Sequence, residues 1–245
     1  MKVVKINGKK EEILIIAHRG ASSIAPPNTL KAFQRAIELK ADYIEFDVHQ
    51  SKDGEIVIIH DAYITDIYGK ERFIKNMELR ELKDMDVGEG EKIPTLKELV
   101  KIAKGNIGLQ CEVKASNFSK DLVELLEQEN LIETSIISSF LFKELLELQK
   151  LNSNIKLALL IPPEVYSPHN LLKYCQKAIK SNFYAVHPYF ESINKEFVKS
   201  IHEYDMLVNV WTVNEESEIK KVLEMGVDGI ISDNIQLVKN LLNKR

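Results

Sequence analysis

The chain has 245 residues, of which 44% are hydrophobic and 29% are charged, and its formal net charge at pH 7 is −4. This composition indicates a folded globular protein, and the length suits one domain, residues 1–245, of the size of a (β/α) barrel. The small negative charge gives no reason to expect nucleic acid as a partner.

The cysteines and the N-terminal residues indicate in which cellular compartment the protein is expected. Cys111 and Cys175 are too few for a disulfide framework and fit a reducing environment. The first residues contain no apolar run long enough for a signal peptide. No stretch approaches the roughly 18 apolar residues that cross a bilayer. We therefore expect a cytoplasmic protein without a membrane span; its oligomeric state does not follow from the sequence.

Short apolar runs alternate with amphipathic stretches along the chain. Patterns with a 3.6-residue period lie between them, as at residues 29–39 and 122–131. Strand–helix alternation predicts a parallel sheet covered by helices, and at this length a closed (β/α)8 TIM-type barrel is favoured over an open doubly wound sheet. The nine runs are residues 13–17, 43–48, 56–59, 107–113, 135–138, 156–161, 183–186, 207–211 and 229–231.

A barrel needs eight strands, so one run is extra. Asp53-Gly54, between runs 43–48 and 56–59, is a hairpin signal. A hairpin there would place His60 level with Asp47. If the chain crosses over in extended form instead, His60 still ends a strand. Both routes predict that His60 lies near the same rim of the barrel.

The segment of about residues 61–92 lacks a strong period, and we interpret it as a small insertion at the mouth of the barrel. It is predicted to hold a short helix near residues 78–83 and then a loop rich in glycine and charge. The next barrel helix begins after Pro94. Thr95 can cap its N-terminus, with Glu98 three residues on.

Chemically active side chains fall at the predicted strand ends, where barrel enzymes carry their functional residues. Because strand side chains alternate, Glu45 and Asp47 share one face, as do Glu112 and Lys114. Four successive strand ends thus carry His18 and Arg19, Glu45 and Asp47, His60 and Asp61, and Glu112 and Lys114.

Three carboxylates on one rim repel one another unless a cation lies among them. Oxygen ligands without a cysteine or imidazole cluster suit Mg²⁺ or Ca²⁺. Arg19 and Lys114 add positive charge for an anionic substrate. Two histidines beside such a site can divide the roles of acid and base. The predicted site is therefore one divalent cation beside an anion pocket.

These strings, in this order, resemble the motifs of the glycerophosphodiester phosphodiesterase family. The resemblance covers about residues 13–240. The matching strings are His18-Arg19-Gly20-Ala21, Glu45-Phe46-Asp47-Val48, Lys52-Asp53-Gly54, His60-Asp61, Ile93-Pro94-Thr95-Leu96, Glu112-Val113-Lys114, Ser138-Ser139-Phe140, Trp211-Thr212-Val213-Asn214 and Gly226-Val227-Asp228-Gly229-Ile230.

The resemblance implies a barrel that hydrolyses a glycerophosphodiester, a small molecule, to glycerol 3-phosphate and an alcohol with the help of a metal. It also implies the roles of individual residues. His18 and His60 would act as acid and base. The metal would bind Glu45, Asp47 and Glu112, the phosphate Arg19 and Lys114, and Trp211 would border the substrate.

The sequence departs from the family pattern at two places. The family reads Pro-Glu-Asn-Thr where this chain has Pro26-Pro27-Asn28-Thr29, so a carboxylate near the metal is missing. The last motif, normally Thr-Asp followed by a proline, is here Ser232-Asp233-Asn234-Ile235. Two alternatives stay open: a lysophospholipase D that acts on lysolipids, and a barrel that binds glycerophosphate without turnover, which the loss at Pro27 alone favours.

Overall fold

The computed structural model describes residues 13–65, 69–165 and 168–244. Within these residues the strands are β1 (Leu14–His18), β2 (Tyr43–Gln50), β3 (Ile56–Ile58), β4 (Tyr63–Thr65), β5 (Glu71–Phe73), β6 (Gly108–Val113), β7 (Ser135–Ser139), β8 (Lys156–Ile161), β9 (Ala185–Pro188), β10 (Leu207–Val210) and β11 (Gly229–Ser232). The helices are α1 (Leu30–Glu38), α2 (Leu79–Asp84), α3 (Leu96–Ala103), α4 (Ser119–Gln128), α5 (Phe142–Leu151), α6 (Pro168–Lys180), α7 (Lys195–His202), α8 (Glu216–Met225) and α9 (Ile235–Leu242).

Eight parallel strands form a closed barrel: β1, β2 and β6 to β11 follow one another around it, and β1 pairs with both β2 and β11. Helices connect successive strands, and the predicted TIM-type barrel is confirmed. The main apolar core lies between the strands and the helices, as where Phe33 of α1 packs edge-on against Phe46 of β2. The described helices include none that is long and apolar enough to cross a membrane.

The extra apolar run is β3, which forms a hairpin with β2, as the Asp53-Gly54 signal predicts. The predicted register is wrong by one residue. Ser51 N–H donates to the Glu55 carbonyl, which centres the turn on Asp53 rather than between Asp53 and Gly54. Consequently Ile59, not His60, lies level with Asp47, to whose carbonyl it donates a hydrogen bond of 3.0 Å.

Between β3 and α3 the chain forms the β4–β5 hairpin and α2, which lies where the sequence predicts a short helix. The hairpin is absent from the sequence prediction because its strands have three residues each, too few to establish a period. A separate small apolar cluster packs this segment against β3. Its members are Val57, Ile74, Met77, Leu82 and Ile93. The segment is thus anchored beside the strand that leads to His60.

The starts of two barrel helices follow from local capping. The Thr29 side chain accepts a hydrogen bond from Ala32 N–H and begins α1. At α3, Thr95 and Glu98 form the predicted capping box, in which each side chain accepts from the other's backbone N–H. These caps fix where the loops after β1 and β3 end, and both loops border the carboxyl ends of the strands.

Candidate active site

The turn after β1 brings backbone and side-chain groups to the β2 strand. His18 at the end of β1 lies opposite Glu45 in the strand register. Arg19 follows with a φ of 55°, and its backbone N–H donates to Glu45 Oε2 at 3.0 Å. Gly20 has a φ of 85°, and a Cβ there would lie 2.7 Å from the Ala32 carbonyl carbon. Only glycine therefore lets the turn approach α1 so closely.

Three buried carboxylates lie together at the carboxyl ends of β2 and β6. Asp47 and Glu112 are register partners, and Glu45 precedes Asp47 on the same face. One oxygen from each of Glu45, Asp47 and Glu112 lies within 4.8 Å of the others. The alternation of side chains thus produces the acidic triad expected from the sequence.

Two basic side chains face Asp47. Lys114 Nζ lies 2.9 Å from Glu112 Oε1 and 3.5 Å from Asp47 Oδ1, while Arg19 Nε lies 3.3 Å from Asp47 Oδ2. The Asn28 side-chain amide donates to Asp47 Oδ2 at 2.8 Å. Burial alone would raise the pKa of Asp47, but Lys114, Arg19 and Asn28 outweigh burial and hold that pKa below its usual value.

The other two carboxylates are less well neutralised. Burial raises the pKa of Glu45 well above its usual value, and the neighbouring Asp47 and Glu112 raise it further. Burial, with the charge of Asp47 second, raises the pKa of Glu112 to about 7 despite Lys114. Three carboxylates thus share two basic side chains, and this deficit of positive charge among oxygen ligands fits a bound divalent cation.

His18, at the end of β1, is held by a residue that follows the neighbouring strand β11. Its Nδ1 lies 2.7 Å from Oδ1 of Asp233, which follows β11. Ser22 Oγ lies 2.7 Å from the same Asp233 oxygen, and the Asn214 amide donates to Oδ2. Burial would raise the pKa of Asp233, but the hydrogen bonds from His18, Ser22 and Asn214 outweigh burial and hold it at about 2.

His60 occupies a more open position. Its Nδ1 lies 2.7 Å from Oδ1 of the adjacent Asp61, and its carbonyl oxygen lies 3.2 Å from Nε2 of the buried His49. His60 and Arg19 line one cavity of about 240 Å³, whose wall also includes Pro27. The departure from the family motif at Pro27 therefore lies at this cavity, beside Arg19.

Trp211 lies directly after β10, away from the acidic triad in the strand order. Its ring contacts Phe140 edge-on at 5.7 Å and Tyr189 at 5.6 Å between ring centres. Its indole N–H donates to the His187 carbonyl oxygen at 2.8 Å, which fixes the ring. A half-buried aromatic cluster of Phe140, Tyr189 and Trp211 thus lies after strands β7, β9 and β10.

Asn28 and Asp233 contact predicted site residues, but sequence reasoning assigns neither of them a role. Both stand in quoted motif segments, which was the signal available for finding them. His187 is fully buried, and burial lowers its pKa to about 3. Its Nε2 lies 3.1 Å from the Asn209 side-chain nitrogen, so this histidine is a neutral part of the barrel interior.

A closed parallel barrel that carries an acidic triad, basic side chains and histidines at its strand ends is a TIM-barrel protein with a polar, charged site where its strands end. The profile of the glycerophosphoryl diester phosphodiesterase family matches residues 18–237, and the chain belongs to this family. The resemblance seen in the sequence motifs is thereby confirmed.

Individual relatives match over nearly their whole length. A glycerophosphodiester phosphodiesterase of Caldanaerobacter subterraneus subsp. tengcongensis is 33% identical, over 94% of this chain and 98% of that protein. The crystal structure of one from Thermotoga maritima is 28% identical, with a TM-score of 0.79 over 95% of this chain and 100% of that one. A phosphodiesterase of Oleispira antarctica, solved in complex with the product sn-glycerol-3-phosphate, is 26% identical, with a TM-score of 0.81 over 94% and 96%.

Proposed function

We propose that this protein is a phosphodiesterase that hydrolyses glycerophosphodiesters to glycerol 3-phosphate and an alcohol. The observation that carries the proposal is the acidic triad with its two basic side chains at the barrel rim. His18 lies beside Glu45 in the strand register, and His60 lines a cavity together with Arg19. The relatives named for this activity, and the Oleispira antarctica complex with glycerol 3-phosphate, support it. We infer a cytoplasmic setting from the two cysteines, both buried and unpaired.

Glu45, Asp47 and Glu112 would hold one divalent cation, either Mg²⁺ or Ca²⁺. Carboxylate oxygens suit both ions, and the raised pKa values of Glu45 and Glu112 indicate a site short of positive charge. When bound, such an ion supplies Lewis-acid polarisation of the phosphoryl oxygens.

Arg19 and Lys114 would bind the phosphate of the substrate. Both lie within 3.5 Å of Asp47, so their charges are held beside the triad before substrate arrives. Burial would lower the pKa of Lys114, but Glu112 and Asp47 outweigh burial and raise it, so the amine stays charged. An arginine fork and a lysine point charge together suit a phosphodiester.

His18 and His60 would move the protons of the reaction. One accepts the proton of the attacking oxygen, which belongs to water or to the neighbouring glycerol hydroxyl, and the other donates a proton to the leaving alkoxide. In each histidine a carboxylate contacts Nδ1, which leaves Nε2 as the nitrogen that can face substrate. The two contacts differ in their surroundings, because the Asp61 side chain is mostly exposed and the Asp233 side chain is not.

The test of this function is the release of glycerol 3-phosphate from diesters that carry choline, ethanolamine, inositol or glycerol. The assay is run with Mg²⁺, with Ca²⁺ and with excess chelator. Asp47→Ala should abolish turnover, while Glu38→Ala, which removes an exposed carboxylate of α1, should not change it. Release with none of the diesters contradicts the function, and full activity in chelator contradicts the metal.

Removal of either histidine should lower kcat by about 10² to 10⁴, because each supplies one proton transfer. A substrate with a nitrophenol leaving group needs little protonation. It should therefore restore turnover in whichever of His18→Ala and His60→Ala lacks the acid, and not in the other. Near-normal activity of either variant on the natural diester would show that its histidine is structural.

Lysolipid hydrolysis is the second candidate, and one observation favours it. Large apolar side chains are exposed near the strand ends of the barrel: Ile24 follows β1, and Leu141 follows β7. Tyr63 and Phe73, an exposed aromatic pair on the β4–β5 hairpin, follow shortly after His60. These side chains could contact an acyl chain. Release of choline from lysophosphatidylcholine faster than from glycerophosphocholine would favour this candidate.

A further inference from the structure

We propose that Asp233 is a positioning residue that locks His18 into one tautomer, with the proton on Nδ1 and with Nε2 as its reactive nitrogen. The role of this lock in turnover rests on the proposed function, because it requires that His18 transfers a proton. The lock itself is a property of the folded chain and can be measured without substrate.

The first step is the fixed position of the Asp233 carboxylate. Parallel pairing sets Ala17 beside Ser232, so the residues that follow, His18 and Asp233, meet across the β1–β11 seam. The Asp233 backbone N–H donates to Asn214 Oδ1 at 2.9 Å, and the Asn214 amide returns a hydrogen bond to Oδ2. Asn214 therefore clamps Asp233 from two sides and leaves Oδ1 to face the imidazole.

The second step concerns the location of the proton. His18 Nδ1 and Asp233 Oδ1 lie 2.7 Å apart, a separation at which one of the two atoms must donate. The carboxylate is the acceptor, because it already accepts from the Asn214 amide, and its pKa of about 2 keeps it ionised. The imidazole must then carry its proton on Nδ1 when neutral. Nε2 is left with the lone pair that a base uses, or with the second proton that an acid gives.

The third step is a comparison within the same protein. Asp61 makes an equivalent contact of 2.7 Å with Nδ1 of His60. Asp61, however, is the neighbouring residue in the chain, and 68% of its side chain is exposed, against 32% for Asp233. An exposed contact of this kind constrains little because water competes for both partners. Asp61 is therefore a matched control for a carboxylate at the same distance from a histidine.

The kinetic test compares Asp233→Asn with Asp61→Asn. An asparagine can present its N–H₂ group to Nδ1, which stabilises the opposite tautomer and places the proton on Nε2. We expect Asp233→Asn to lower kcat by about 10² to 10⁴, the range for loss of one positioned proton transfer, with KM changed less than about threefold. Asp61→Asn should lower kcat by less than about fivefold. Equal losses in the two variants, or a change confined to KM, would overturn the proposal.

The direct test is the ¹⁵N spectrum of the His18 ring, without substrate, in the neutral pH range. Wild type and Asp61→Asn should show the Nδ1–H form, and Asp233→Asn should lose it. A wild-type Nε2–H form would overturn the proposal even if the Asp233 variant does not fold. If wild type shows the Nδ1–H form but releases no glycerol 3-phosphate, the proposed function fails while the lock stands.

Discussion

At the scale of single residues, the three carboxylates of the acidic triad have different pKa values because their neighbours differ. Asp47 receives Lys114, Arg19 and Asn28 and has a lowered pKa, whereas burial dominates at Glu45 and Glu112 and raises the pKa of each. The site is therefore built at a cost to the stability of the metal-free protein, and that cost is concentrated in Glu112 and Glu45.

Glu112→Gln should therefore stabilise the metal-free protein at alkaline pH. The pKa of Glu112 is about 7 in the folded state and lies near 4.5 in an unfolded chain, so its ionisation lowers stability progressively as pH rises from about 4.5 to 7. At pH 8 the variant should gain about 1 to 3 kcal/mol in the free energy of unfolding, and near pH 4.5 almost nothing. Urea denaturation in chelator at both pH values measures the difference.

If Glu112 is a metal ligand, as proposed, the same variant should also lose most of the stabilisation that added Mg²⁺ or Ca²⁺ gives, because a ligand oxygen has lost its charge. Glu38→Gln, an exposed change on α1, serves as the control and should alter neither quantity. A Glu112→Gln protein that is less stable than wild type at pH 8 would show that Lys114 already neutralises Glu112.

The sequence could predict which face of the strand these residues occupy, but not all of the residues that contact them. Period-2 alternation places Glu45 and Asp47 on one face from spacing alone. Asn28 reaches Asp47 from a loop residue with a φ of 58°, a backbone state that no local pattern reveals. Asp233 meets His18 only after the barrel closes. Contacts that form through loops, or only when the barrel closes, cannot be predicted from the periodicity of the sequence.

At the scale of elements, the β1–α1 turn decides how closely the site approaches its first helix. Gly20 and Gly54 have nearly equal φ values, 85° and 88°, but different surroundings. A Cβ at Gly20 would lie 2.7 to 2.9 Å from three atoms of Ala32, whereas a Cβ at Gly54 would meet nothing within 4 Å. The two glycines therefore separate backbone strain from steric contact.

Gly20→Ala should destabilise the protein by about 2 to 4 kcal/mol, because strain and overpacking of α1 add. Gly54→Ala should cost only about 1 kcal/mol, the price of the left-handed backbone alone. The free energy of unfolding in urea measures both. If the two losses are the same, α1 moves freely away from the turn, and its close approach to Gly20 does not contribute to stability.

The β2–β3 hairpin shows how far turn signals reach. Asp53-Gly54 predicts that a hairpin forms and that the extra run is β3. The register, however, depends on which residues close the turn, and the hydrogen bond from Ser51 to Glu55 shifts it by one position. Because side chains alternate, a shift of one residue changes which face a residue takes. Turn type, not the turn signal, thus determines where His60 emerges.

At the scale of the whole molecule, the barrel could be predicted because its eight strands are nearly continuous apolar runs separated by helical patterns. Each run is buried on both faces, which makes the signal strong and local. The small β4–β5 hairpin could not be predicted in this way. Its residues are exposed or half-buried, and its seat depends on Ile74 and Met77 packing under β3.

The seam between β1 and β11 has a kinetic consequence. His18 and Asp233 are separated by 215 positions in the chain, so their contact is among the most non-local in the protein and forms only when the last strand docks. During refolding from urea, we expect far-UV circular dichroism to recover first and enzymatic turnover to appear in the slowest phase. Turnover that returns together with the earliest helical signal would mean that the seam closes first. The time at which turnover recovers should therefore report when the barrel of this protein closes.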